Sequence, residues 1–145
     1  MIVWCNKPEL KITSDIEPCT TVQKILPTDS ELIKKDKQRK PYLNKKRVLF
    51  TVDYLGSQYC ILVHKGYTWD GSSCPTLHNV PALLNASMVH DVLCEKPELI
   101  NKDRQLASMI FREIGITSGM NKIFMNIAYH CVECYQKLFC SKNWK

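Results

Sequence analysis

The spacing of apolar residues changes near the middle of the chain. Two runs, Arg47–Leu55 and Gln58–Lys65, are rich in β-branched and aromatic residues and flank Gly56 and Ser57. Such residues suit a pleated, half-buried surface, and glycine beside a small polar residue is turn chemistry. The segment therefore predicts a β-hairpin near 47–66, and Gly66-Tyr-Thr-Trp-Asp-Gly-Ser-Ser-Cys-Pro75 reads as the loop leading out of it. Upstream, short apolar runs (Ile2-Val3-Trp4, Leu10-Lys11-Ile12) alternate with Pro8, Pro18 and Pro27, which predicts short strands and loops. Glu31–Lys37 suggests a turn or two of basic helix that ends before Pro41. Beyond residue 79 the spacing is helical. Asn79-Val-Pro81 resembles a helix start, and this helix should run to about Cys94. A second helix begins near Asn101 or Asp103 and stops at Gly115, read as its cap. A third, from about Asn121 to Phe139, repeats Ile123, Ile127, His130, Cys134 and Leu138 at three- and four-residue steps. Strands first and helices afterwards predict an α+β fold, a small antiparallel sheet packed by about three C-terminal helices.

Length and composition agree with a single domain over 1–145: 45% of residues are apolar and 23% charged, an ordinary globular balance. No apolar stretch approaches the ~20 residues needed to span a bilayer. The first eight residues lack the basic and apolar runs of a signal peptide, so the chain is expected to stay in a cytoplasm. In that setting the eight cysteines read as small hydrophobes rather than disulfide partners. Charge is concentrated: Lys34–Arg47 holds eight basic residues and one acid, a segment at +7 within a chain of net +6. A basic run of this kind is a footprint for nucleic acid or another polyanion, or a solvated loop.

Candidate chemistry lies on the first of the three helices. Pro81–Cys94 is apolar nearly all round, as buried helices are, yet it carries His90 and Asp91. A buried carboxylate is costly unless paired, so both residues need partners or a cavity. Asp70, Ser72 and Ser73 of the 66–75 loop are candidate partners, and Arg104 could fork onto Asp70 or Asp91. Three readings compete: a buried polar network tying the loop to the helices, a divalent metal site on Asp70, His90 and Asp91 that activates water, and metal-free acid–base chemistry with His90 as base. A serine triad is disfavoured, because adjacent residues on a helix diverge. His130 and Cys134, four apart, form a weaker metal candidate that lacks a second ligand pair.

The order Gly66–Pro75, His90-Asp91 within an apolar helix, then Arg104–Phe111 resembles a small phage and prophage family of unassigned function. Its pattern is G-F-x-T-D-x-A-S-x-P, H-D-x-L, R-x-x-A-D-x-x-F and a last helix with Y-x-x-V-R. The resemblance covers about 47–139 and leaves 1–46 as a divergent extension containing most of the basic segment. Asp70, Ser73 and Pro75 match the first motif; His90, Asp91 and Leu93 the second; Arg104, Ala107 and Phe111 the third; Tyr129 and Val132 the last. Ser108 and Glu133 depart from it, standing where the resemblance implies aspartate and arginine. Losing that aspartate is expected to cost activity if it ligates a metal or acts as an acid.

The resemblance implies a phage origin and the same site, but no reaction. Three functions follow as expectations. The first is an accessory protein, associated with the virion or tail, that binds other phage structural proteins. The second is a metal-assisted hydrolase of cell-wall peptide or glycan. The third is a polyanion binder acting through Lys34–Arg47. The expected location is the host cytoplasm, with incorporation into the virion.

Overall fold

The structure, a computed structural model, describes residues 2–17, 22–24, 42–69 and 81–145. Within them, β1 (Ile2–Asn6), β2 (Leu10–Ser14), β5 (Val48–Tyr54) and β6 (Ser57–Val63) form an antiparallel sheet in the order β1-β2-β5-β6. A second, smaller antiparallel sheet joins β3 (Val22–Lys24), β4 (Tyr42–Asn44) and β7 (Thr68–Trp69). Three helices follow: α1 (Pro81–Glu95), α2 (Arg104–Thr117) and α3 (Lys122–Phe139). The architecture is α+β. The basic helix expected over Glu31–Lys37 lies outside the described residues.

Alternation on β5 turns Val48, Phe50 and Val52 inward, and Ile12, Ile61 and Val63 join them from the neighbouring strands. Leu83, Ala86, Val89 and Leu93 of α1 and Leu106, Ala107, Ile110 and Ile114 of α2 close over this face. Each of the larger side chains among them stabilises the fold by about 1.5–3 kcal/mol relative to exposure. Glu113 is the acid in this layer: its buried carboxylate accepts from Lys7 Nζ at 2.7 Å, with Arg112 Nε at 3.4 Å, and so ties α2 to the β1–β2 turn.

Two expected boundaries move. The β5–β6 turn is Leu55-Gly56 rather than Gly56-Ser57, because Tyr54 pairs with Ser57 and both turn residues adopt positive φ, +48° and +82°. That is the backbone a two-residue hairpin loop requires. Gly115 does not cap α2 but lies inside it, where a Cβ would collide with the Met125 thioether. The left-handed exit is made by Gly119, φ +113°, just beyond the C-cap Ser118. The helix starts follow ordinary capping: Asp103 accepts from Leu106 N and Asn121 from Phe124 N, each at 3.0 Å.

On α3 the periodic residues that announce the helix do not face the core. Met125, Ala128, Tyr129 and Gln136 are buried, whereas Ile123, Ile127 and Leu138 are largely exposed. The physical reason is layering: α3 packs chiefly on α2, outside the sheet–helix interface, and needs only one narrow face for that contact.

Candidate functional site

The site grows from the stem of the 66–75 loop. Asn44, fully buried at the end of β4, fixes that stem: its side-chain amide donates to Val63 O and His64 O, its backbone N–H donates to Tyr67 O, and its carbonyl accepts from Gly66 N. Register then pairs Trp69 with Tyr42, their rings 5.9 Å apart, and Tyr67 stacks on Trp69 at 6.0 Å. Trp69 Nε1 donates to Ser87 Oγ on α1 at 3.2 Å, and that hydroxyl donates on to Leu84 O. The loop stem is thereby fastened to α1 one turn before His90.

His90 is 6% exposed. Its ring meets Phe111 of α2 edge-on at 5.6 Å, and Cys94 Sγ lies 3.6 Å from Nδ1, one turn along α1. Burial lowers the His90 pKa to about 4, so the imidazole is neutral at physiological pH. Burial also pushes the Cys94 thiol up to about 12, with Asp91, Cys140 and Glu95 adding to the shift. The Tyr67 phenol is raised by burial and by the Asp91 and Glu95 carboxylates. Tyr67 thus keeps its proton. The charge of half-buried Asp91 acts on both Tyr67 and Cys94.

A second polar contact joins α2 to α3. Ser108 Oγ donates to Glu133 Oε1 at 2.6 Å, and Arg104 Nε reaches the same oxygen at 3.4 Å. Alongside, Gln105 donates to the Tyr129 hydroxyl and the Arg112 guanidinium lies 4.6 Å over the Tyr129 ring. The two departures from the expected pattern therefore touch each other. Glu133 of α3 thus sets a carboxylate beside position 108. Arg104, a candidate to fork onto Asp70 or Asp91, pairs with Glu133 among the described residues; Asp70 lies outside them.

The structure brings His90 and Asp91 together with the loop stem. Asp70, Ser72 and Ser73 lie outside the described residues. His130 and Cys134 are exposed on α3, with the His130 ring edge-on to Tyr129 at 5.2 Å. Among the described residues no group of three or more His, Cys, Asp or Glu side chains could hold a metal ion. Sequence reasoning missed Tyr67 and the Ser108–Glu133 contact as parts of the cluster. An aromatic two residues before Trp69 was the available signal for Tyr67; the second contact is a reach across helices that no local pattern encodes.

Comparison with known families adds one decisive match. Residues 46–132, well over half of the chain, match proteins of unknown function described as DUF1353. The chain belongs to the DUF1353 family. The matched span of this DUF1353 member takes in Tyr67, His90, Ser108, Phe111 and Tyr129, whereas Asn44 and Glu133 lie just outside it. Among curated proteins and among solved structures nothing matches the chain.

Proposed function

We propose that the chain is a phage-encoded accessory protein, made in the host cytoplasm and associated with the virion or its tail, that acts by binding other phage proteins rather than by turnover. The observation supporting binding over turnover is the state of His90; the phage setting rests on the sequence resemblance alone. A general base must reach the proton it abstracts and have a pKa near working pH. His90 is closed off by Phe111 and Cys94 and held neutral by burial, and its neighbours Cys94 and Tyr67 keep their protons. Such a cluster shapes and stiffens a surface; it does not move protons. The expected result is that the protein co-purifies with particles of the phage that encodes it, detected by mass spectrometry, and releases nothing from purified cell wall. Absence from particles, or wall hydrolysis lost on His90→Gln, overturns this reading.

One observation favours a second reading, a metal-assisted hydrolase of cell-wall peptide or glycan using Asp70, His90 and Asp91. A neutral imidazole is the form that ligates metal, and Trp69, which immediately precedes Asp70, is bonded to Ser87 one turn from His90. Elemental analysis of protein purified without chelator tests it. No bound metal, together with unchanged behaviour of His90→Ala, ends it.

A further inference from the structure

The outward face of α3 carries a surface that the site does not use. Successive helical residues turn by about 100°, which puts Ile123, Ile127, Cys131, Cys134 and Leu138 within an arc of roughly 80°. Ile123, Ile127 and Leu138 are 71%, 58% and 71% exposed, and Tyr135 and Phe139, whose rings lie 5.3 Å apart, flank them at 57% and 74%. Cys131 and Cys134 are exposed between them. The helix is fully formed and capped by Asn121, so this is an ordered apolar face and not a frayed end.

We propose that this face binds a second copy of the chain, with the two α3 helices packed antiparallel across a two-fold axis. Self-complementarity argues for it. Ile127, Cys131, Cys134 and Leu138 recur at steps of four, three and four, the spacing of a coiled-coil seam. That pattern reads the same in both directions. Reversing one helix sets Ile127 against Leu138 of the second copy and Cys131 against its Cys134. Large side chains then meet at both ends and small ones at the centre, where they allow close approach. An isologous dimer requires such a patch that complements itself. Antiparallel packing also opposes the two helix dipoles, whereas a parallel pair aligns them.

Area agrees with this choice. Ile123, Ile127 and Leu138 face the seam and Tyr135 stands at its edge, each more than half exposed, so two copies bury on the order of 800–1,000 Å², the size of weak, transient interfaces. The result is a reversible dimer, sensitive to dilution.

Analytical ultracentrifugation of the full chain tests it. The expected outcome is a dimer at about 100 μM that dissociates on dilution, and a monomer for Ile127→Glu/Leu138→Glu with unchanged circular dichroism and, at dilutions where the wild type is itself monomeric, an unchanged melting temperature, since both side chains are already exposed in one copy. Orientation is read by diamide cross-linking in a background in which Cys19, Cys60, Cys74 and Cys140 are replaced by serine. Antiparallel pairing loses the disulfide-linked dimer in both Cys131→Ser and Cys134→Ser taken singly. Persistence of the link in either variant overturns the arrangement. A wild-type chain that stays monomeric at 100 μM overturns the proposal; should the double glutamate variant then also melt lower, part of the chain itself covers this face.

Discussion

Acidification should weaken the fold through His90. In the unfolded chain the imidazole titrates near 6.5, whereas burial holds it at about 4 in the folded protein. The folded state therefore resists a proton that the unfolded state accepts. Stability from this group is complete above pH 6.5, declines as pH falls below it, and is exhausted near pH 4. At about 1.4 kcal/mol per unit, the gap amounts to about 3 kcal/mol, of which about 2–3 kcal/mol is lost between pH 7 and pH 4.5. That is a large share of a typical 5–15 kcal/mol stability. Carboxylates also titrate in this range, so the assay is a difference. Urea unfolding of wild type and His90→Gln is measured at both pH values. Whatever the substitution costs at pH 7, the variant should lose about 2–3 kcal/mol less than wild type on going to pH 4.5. Equal losses in the two proteins would refute the reasoning, because His90 would then be solvated or paired when charged.

Three other predictions rest on single contacts. Ser87→Ala strands the Trp69 indole N–H in the core and should cost about 1–3 kcal/mol in urea unfolding; a change within ~0.5 kcal/mol would show that the loop stem is fastened otherwise. Ser108→Asp sets a second carboxylate against Glu133 and should destabilise by about 2 kcal/mol or more, while Ser108→Asp/Glu133→Arg recovers most of the loss in a double-mutant cycle. Additive losses would contradict a direct contact. Lys45, Lys46 and Arg47 are consecutive and exposed at the described end of the basic segment, so reversing all three to glutamate should lower the salt needed for elution from heparin. Unchanged elution would remove polyanion binding through this segment.

The outline of the fold was legible because local signals and tertiary demands coincide over most of the chain. Pro81, Asp103 and Asn121 open helices where their backbone chemistry says they should. The burial of His90 followed from the apolar helix around it. Ambiguity arose where one residue type serves two purposes. Gly115 looks like a stop but is a notch for Met125, since only a missing Cβ lets α3 approach. Leu55 hides the hairpin turn, because a leucine at positive φ is chosen by strand register and not by propensity. Periodicity on α3 marks a helix but not which face is buried, as two apolar faces share one helix. The Ser108–Glu133 contact depends on the placing of α2 against α3, which is tertiary information.

The account depends on a closed, neutral His90. A long-range proton–nitrogen spectrum of its imidazole, assigned with His90→Gln, measures this most directly. The predicted result is a single neutral tautomer whose resonances stay fixed from pH 7.5 to 5.5 and on addition of one equivalent of zinc. Titration with a midpoint near 6.5, or a shift on adding the metal, would contradict it.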